Sequence, residues 1–441
     1  MTQQQMISDY AEHIRTLQTR SAQALERENI DGLIIHSGQG KRHFLDDTNY
    51  PFRVNPQFKA WLPVVDNPNS WLIINGKDKP KLVFYQPDDF WHKVPQTPTD
   101  FWVEHFDIIY LKEANRVEKH LPYDKSKYAY IGEYIEVAKA LGFELVNPES
   151  VMHYLHYHRT YKTDYELTCM RNANRIAVKA HKAAKEAFLL HSSEFEINQA
   201  YLSAAEQDSN QVPYDNIIAL NEHTSILHYT VLDKIKPHKN LSFLIDAGAS
   251  FHGYASDITR TYTTEKHPFA ELIQRVNNLT LFLIEAMKPG KSYVDIHREA
   301  YLGVAQILID FNILNMTAEQ AVDTGVVSTF FPHGIGHPLG LQVHDVAGHV
   351  ADDRGTPLAP PQAHPFLRCT RIIEPRHVYT IEPGVYFIDS LLAKLKGSEK
   401  SKYINWNVVD TFRPFGGVRI EDNVIVHRDR NENITREAGL N

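Results

Sequence analysis

The chain has 441 residues, longer than a single hydrophobic core usually serves, so two domains are the expectation. Hydrophobic content of 43% and charged content of 23% fit an ordinary globular protein, and a formal net charge of −8 without runs of like charge argues against general nucleic-acid affinity. The N-terminal segment is polar, no apolar stretch approaches membrane-spanning length, and Cys169 and Cys369 are the only cysteines; the expectation is a cytoplasmic protein with small-molecule or peptide substrates and no membrane association, disulfide framework or thiolate zinc site.

An amphipathic helix is predicted from Tyr10 to Glu28, followed by strand-like segments at Gly32–His36, Ser70–Ile74, Lys81–Tyr85 and Tyr128–Ile131. This alternation predicts a small α/β domain over residues 1–160. The ring-rich segments Asp89–His92 and Asp100–Trp102 fit either core edges or contacts to another subunit. At Thr163 and Glu166 the spacing is that of a capping box, which opens a helix predicted to reach about Leu190 and a second domain over residues 161–441. Ser193 with Glu196 opens the next helix. Two more amphipathic helices are predicted, one beginning at Phe269 and ended by Pro289-Gly290, and one opened by Ser292 with Asp295. Strands and loops are expected for the remainder.

Between the third and fourth of these helices, Ser242–Gly248 and Tyr254–Tyr262 carry strand-type residues around a turn supplied by Gly248, Ser250 and Gly253. A symmetric fold-back sets Asp246 opposite Asp257. Like charges directly across an antiparallel pair repel, and the neighbouring Phe243, Leu244, Ile245 and Ile258 make the setting apolar, so a cation between the acids is expected. Later, Val378–Phe387 and Gly417–Val426 each embed one glutamate, Glu382 and Glu421, in an apolar strand, which makes both candidate metal ligands on the same grounds. The Gly-rich segment between the aspartates and the glutamates, Phe331–Asp345, holds His333, His337 and His344. Four carboxylates and one or two imidazoles suit hard or borderline divalent ions, with Mn2+ expected and Co2+ or Zn2+ as alternatives. Four acids exceed the charge of one ion. A two-metal hydrolytic centre with a bridging hydroxide is therefore predicted.

Asp246, Asp257, His337, Glu382 and Glu421 are set in Ile-Asp-Ala-Gly, Ser-Asp-Ile-Thr-Arg, His-Gly-Ile-Gly-His, Ile-Glu-Pro-Gly and Arg-Ile-Glu-Asp. In this order they resemble the metallopeptidases of the methionine aminopeptidase and prolidase type, whose catalytic domain has the pita-bread fold. The whole chain is most similar to bacterial Xaa-Pro dipeptidases, including members described as organophosphorus acid anhydrolases, and the similarity extends through His36-Ser-Gly-Gln, Asn55–Trp61 and Asp89–Val94. The fold class implied is α/β (α+β), a small N-terminal domain followed by a pita-bread domain.

Carried over by position, the resemblance implies that Asp257 and Glu421 bridge two ions, Asp246 holds one, and His337 and Glu382 hold the other. Glu382 is then also the proton carrier, with His228 and His344 assisting at the substrate carbonyl and His333 near the substrate. Arg368 and Arg419 match basic residues associated with the substrate's terminal carboxylate. Arg419, two residues before Glu421, has a second reading as a structural partner for an acid behind the metals. The implied activity is hydrolysis of Xaa-Pro dipeptides by a homodimer, with phosphotriester hydrolysis as a side activity. An aminopeptidase acting on longer Xaa-Pro peptides and a non-catalytic peptide-binding protein on the same fold are the competing readings.

Overall fold

The computed structural model describes residues 3–441. These fall into two compact units. One runs through Cys169 and takes in His252–Tyr254 and Asp352–Thr356; the other comprises Met170–Phe251, Ala255–Ala351 and Pro357–Asn441.

In the first unit, helix α1 (Gln3–Glu28) precedes strands β1 (Gly32–His36), β2 (Trp71–Ile74), β3 (Lys81–Tyr85), β4 (Asp107–Leu111), β5 (Tyr128–Ile131) and β6 (Leu145–Val146). They form one mixed sheet in the order β4-β3-β2-β1-β5-β6. Every residue of β1 is buried, as its unbroken apolar run requires of an inner strand flanked by antiparallel β2 and parallel β5. Strand β4, with Asp and Tyr interrupting its apolar residues, has no counterpart in the sequence-based expectations. Short helices α2 (Pro56–Lys59) and α3 (Ile135–Ala140), the longer α4 (Glu149–Arg159) and 3-10 helices at Val103–His105 and Ala114–His120 complete the elements of this part of the chain. Trp102 is buried, whereas the rings of Phe90 and Trp91 stand 86% and 79% exposed.

Helix α5 (Asp164–Leu189) begins with the predicted box: Thr163 N–H donates to Glu166 Oε2 at 2.8 Å, and Glu166 N–H donates back to Thr163 Oγ1 at 3.4 Å. Ser193 and Glu196 form the same reciprocal pair ahead of α6 (Glu194–Ala205). The second unit then repeats one plan. After α5 and α6 come β7 (Ile217–Leu220), β8 (Phe243–Asp246), the small hairpin β9 (Ser250–Phe251) and β10 (Tyr254–Ala255), and β11 (Thr259–Tyr262). β7, β8 and β11 make an antiparallel sheet whose inner face meets Ala180, Ala184, Phe188, Ile197 and Tyr201 of the two helices.

After α7 (Phe269–Ala286) and α8 (Tyr293–Asp310) the plan recurs with β12 (Val378–Ile381), β15 (Asp422–Val426) and β16 (Asn431–Asn433), again antiparallel, while β13 (Gly384–Tyr386) pairs with β14 (Gly417–Arg419). Leu272, Val276 and Leu283 of α7 and Ile296, Val304 and Leu308 of α8 share one core with Tyr379, Ile381, Val424 and Val426. Each such side chain contributes roughly 1.5–3 kcal/mol by leaving water.

The closing third is not only strands and loops. Helices α9 (Ala318–Asp323), α10 (Val327–Phe330), α11 (Asp389–Lys396), α12 (Trp406–Phe412) and α13 (Ile434–Glu437) lie there, too short to show a repeating apolar face. Among the described residues no helix is long and apolar enough to cross a membrane.

Glu432 of β16 receives both Nε and Nη2 of Arg171 at 2.6 and 2.7 Å and lies 2.7 Å from His427 Nε2. Burial raises its carboxyl, but Arg171 and His427 outweigh it and hold the group at about 2. Its folded value lies below the ordinary 4.5, so the stability it contributes is complete above that pH and is lost as the pH falls toward 2. Glu432→Gln is expected to flatten the acid limb of a stability–pH profile recorded by urea unfolding, and an unchanged limb would remove this assignment.

Candidate metal and substrate site

Asp246 closes β8, and the pairing across the sheet sets Thr259, not Asp257, opposite it. The hairpin is not symmetric: β9 and β10 form a nested turn, and Asp257 falls in the irregular stretch before β11. Gly248 lets that stretch fold back, since a Cβ there would lie 2.0 Å from the Ser256 carbonyl oxygen. Asp257 therefore sits diagonal to Asp246, two residues ahead of its partner.

The glutamates also depart from expectation. Glu382 lies between β12 and β13, and Glu421 between β14 and β15, so each occupies a break in the ladder rather than the interior of a strand. Glu421 N–H donates to Thr259 O at 3.0 Å, which joins the two halves of the unit where their acids converge. The histidine segment runs beside β12, with Thr380 N–H donating to His337 O at 3.0 Å and Glu382 N–H to Ile335 O at 2.9 Å. Only glycine permits this approach at position 336, where φ is +153° and a Cβ would meet Thr380 O at 2.2 Å.

Asp246, Asp257, His337, Glu382 and Glu421 line one cavity of about 800 Å³, together with His228, His333, His344, Arg368 and Arg419. Ligating atoms of Asp257, His337 and Glu421, all buried, lie within 4.8 Å of one another. His337 Nδ1 is 3.0 Å from the Pro338 carbonyl oxygen, which can only accept, so Nδ1 carries the proton and Nε2 faces Asp257 at 3.4 Å and Glu382 at 3.7 Å.

Several side chains that the sequence did not single out hold these groups. Tyr214 O–H lies 2.8 Å from Asp246 Oδ1 and 2.5 Å from Asp257 Oδ1, between the two acids. Thr259 Oγ1 donates to Glu421 Oε2 at 2.7 Å, and Asp257 N–H donates to Asn423 Oδ1 at 3.0 Å. Behind Glu421, Arg260 pairs with Asp422 at 2.7 Å and donates to the Glu421 carbonyl at 2.8 Å. Thr259 and Arg260 belong to the Ser-Asp-Ile-Thr-Arg motif and were open to notice there. Tyr214 had no such signal.

Arg419 is bonded through all three of its nitrogens. Nη2 pairs with Asp246 at 2.7 Å, Nη1 donates to Tyr386 O–H at 2.9 Å and Nε to Thr259 Oγ1 at 3.2 Å. The Tyr386 hydroxyl in turn lies 2.8 Å from His333 Nε2, while His333 Nδ1 donates to Gly334 O at 2.8 Å, so both His333 nitrogens are occupied. By contrast, Arg368, His228 and His344 are exposed to the cavity, and no described residue hydrogen-bonds or ion-pairs with the Arg368 side chain. His344 stands edge-on to His337 with ring centroids 4.4 Å apart.

Four carboxylates here face one fixed guanidinium. Burial pushes the Glu382 carboxyl up to about 7, holds Glu421 well above its usual range, and raises Asp246 despite Arg419. Asp257 goes the other way: burial opposes its ionisation, but the contact with His337 wins, and His337 is raised in return. Burial, with the neighbouring positive groups, lowers His344 to about 4 and His333 to about 3. A site whose acids resist ionisation for want of positive charge, built from oxygens and an imidazole without thiolate, fits divalent cations.

The profile described as "Metallopeptidase family M24" matches residues 168–428, and that described as "Xaa-Pro dipeptidase, N-terminal domain" matches residues 8–157. The chain belongs to metallopeptidase family M24. It is 66% identical to the Xaa-Pro dipeptidase of Pseudoalteromonas atlantica over 99% of this chain and 100% of that one, and 59% identical to that of Pseudoalteromonas translucida over 98% of each. Among solved structures, proline aminopeptidase P II of Yersinia pestis superimposes with a TM-score of 0.72 over 100% of this chain and 98% of that one at 22% identity; an Escherichia coli aminopeptidase P variant gives the same score at 21% identity, covering 97% of this chain and 96% of that one. The fold is the expected pita bread behind an N-terminal α/β domain, and divalent ions are what a family of metallopeptidases implies for these ligands.

Because Arg419 neutralises a carboxylate with few other donors, Arg419→Met is expected to lower the stability of chelator-treated protein by about 3–5 kcal/mol. Chemical unfolding near pH 8 measures this, and a change under about 1 kcal/mol would contradict the pairing.

Proposed function

We propose that the chain is a metal-dependent dipeptidase that cleaves the bond before a carboxyl-terminal proline. The observation that carries this reading is the convergence on one cavity of five metal-type donors and an unpaired arginine. The near-complete match to relatives named Xaa-Pro dipeptidase supports it.

Asp246, Asp257, His337, Glu382 and Glu421 would hold two divalent ions, Mn2+ in this reading, with Asp257 and Glu421 shared. When bound, such ions polarise the scissile carbonyl and acidify a water so that it attacks at neutral pH. Arg368 receives the substrate carboxylate, since its guanidinium faces the cavity without a partner and can bind both oxygens. Arg419, bonded to Asp246, Tyr386 and Thr259, orients Asp246 in this reading. Proline brings no N–H to the bond it forms, so the pocket can hold its ring without leaving a donor unsatisfied.

Glu382 takes the proton released as the water oxygen bonds to the carbonyl carbon. It then delivers that proton to the proline nitrogen as the C–N bond breaks. His228 and His344, exposed to the same cavity, donate hydrogen bonds to the carbonyl oxygen as it gains charge. His333, with both nitrogens bonded, serves as a wall.

On the same reading residues 161–441 form the catalytic domain behind residues 1–160, and the protein works in the cytoplasm as a homodimer, with the exposed rings of Phe90 and Trp91 supporting an association surface. A centre of two ions would also hydrolyse phosphotriesters that fit the cavity, as a side reaction.

Metal-stripped protein is expected to cleave Ala-Pro only after Mn2+ is restored and to leave Ala-Pro-Gly intact. Arg368→Ala should raise KM for the dipeptide and narrow the preference over the tripeptide, and Glu382→Gln should lower kcat by about 10²–10⁴-fold. Cleavage of the tripeptide by the wild type at a comparable rate would transfer the chain to the aminopeptidases. Metal-independent cleavage, or none, would refute the proposal.

A further inference from the structure

Outside the five donors, one buried carboxylate is tied to the cavity wall. Glu194, the first residue of α6, is 2% exposed and accepts four hydrogen bonds. Oε1 receives Leu220 N–H at 2.9 Å and His223 Nδ1–H at 2.8 Å; Oε2 receives Tyr229 O–H at 2.6 Å and Asp233 N–H at 2.8 Å. All four donors belong to residues 220–233, a strap whose middle supplies Leu227 and His228 to the cavity. Ligating atoms of Glu194, His223 and Asp233 lie close enough for an ion. Four donors already fill the acceptor positions of the Glu194 carboxylate, however, so a cation would have to displace them.

We infer that Glu194 is a positioning residue for the dipeptidase reaction: it fixes the strap at both ends and in the middle, and through Tyr229 it sets where the His228 imidazole stands. The strap enters and leaves through left-handed backbone, with φ of 55° at Asn221 and 58° at Leu232. Beside those two turns, Leu220 and Asp233 are the residues that Glu194 holds by their N–H groups. Asp233 is tied twice, since its carbonyl accepts Phe195 N–H at 3.0 Å.

Between the ends, His228 is exposed and bonded covalently to Tyr229, whose ring is buried with Ile217, Ala219 and Leu244 and stacks on His223 at 4.6 Å. Consecutive Cα atoms are about 3.8 Å apart, so a fixed Tyr229 leaves His228 little travel. Other contacts hold the strap's first half: the Thr224 hydroxyl donates to Phe415 O at 2.8 Å and accepts Gly417 N–H at 2.7 Å, and Asn221 Oδ1 accepts Leu241 N–H at 2.6 Å. Leu227, on the other side of His228, packs partly buried against the main core, so Tyr229 is the anchor on the side that Glu194 holds.

This inference rests on the proposed dipeptidase activity, and its test separates the two. Glu194→Gln keeps one carbonyl oxygen but turns an NH2 toward one pair of donors, either Leu220 N–H with His223 or Tyr229 O–H with Asp233 N–H. Tyr229→Phe removes only the 2.6 Å bond and guards against a Glu194 variant that fails to fold. Each is assayed on Ala-Pro with Mn2+, alone and combined with His228→Ala, and the His228 ring signal, identified by its loss in His228→Ala, is followed by carbon-13 NMR.

Glu194→Gln is expected to lower kcat/KM by about tenfold or more, mostly in kcat, as a displaced catalytic group does, and Tyr229→Phe by less. Neither should add to the loss already caused by His228→Ala. The His228 signal should shift or broaden in both. Losses that multiply with that of His228→Ala, or an unmoved His228 signal, would overturn the inference. A wild type inactive on Ala-Pro would sink the dipeptidase reading, and the NMR signal alone would then decide whether Glu194 sets His228.

Discussion

Four carboxylates, Asp246, Asp257, Glu382 and Glu421, meet around one cavity with a single fixed guanidinium among them. Brought together from water without counter-charge they repel, and burial pushes three of the four toward their protonated forms. The rest of the second unit is arranged to tolerate that repulsion. Arg419 offsets Asp246, Tyr214 donates between the two aspartates, Thr259 supports Glu421, and Arg260 with Asp422 pins the backbone beneath it. Divalent ions are the partners that complete this balance, and from that follow the chemistry proposed and its dependence on metal.

The geometry also divides the labour among the basic groups. Arg419 and Arg368 both line the cavity, yet the first is bonded through three nitrogens and the second faces it without a partner. His333 is closed off by Tyr386 and Gly334, while His228 and His344 remain open. Groups held by the fold orient the ligands. In the proposed reaction the groups left free are the ones that meet the substrate.

Much of this was legible in the residues themselves. Gly32–His36, Lys81–Tyr85 and Tyr128–Ile131 are strands with the bounds expected, and both capping boxes form, because apolar runs and caps are local signals. All ten candidate site residues line one cavity; the apolar setting of the four acids and the three clustered histidines anticipated part of that gathering, while His228, Arg368 and Arg419 came only from the family resemblance. The register at Asp246 was misjudged because fold-back symmetry does not reveal the nested turn at β9 and β10. Placing Glu382 and Glu421 inside continuous strands failed for a related reason: apolar neighbours signal burial, not an unbroken ladder. Tyr214 and Glu194 left no pattern, since each acts through bonds to residues far along the chain.

The account turns on carboxylate repulsion that cations relieve. The most direct measurement is the thermal midpoint of wild type and of the double variant Asp257→Asn, Glu421→Gln, each in chelator and with saturating Mn2+. If the account holds, Mn2+ raises the wild-type midpoint, the variant in chelator melts above the wild type in chelator, and Mn2+ no longer moves it. A wild-type midpoint indifferent to Mn2+, with the variant melting lower, would contradict it.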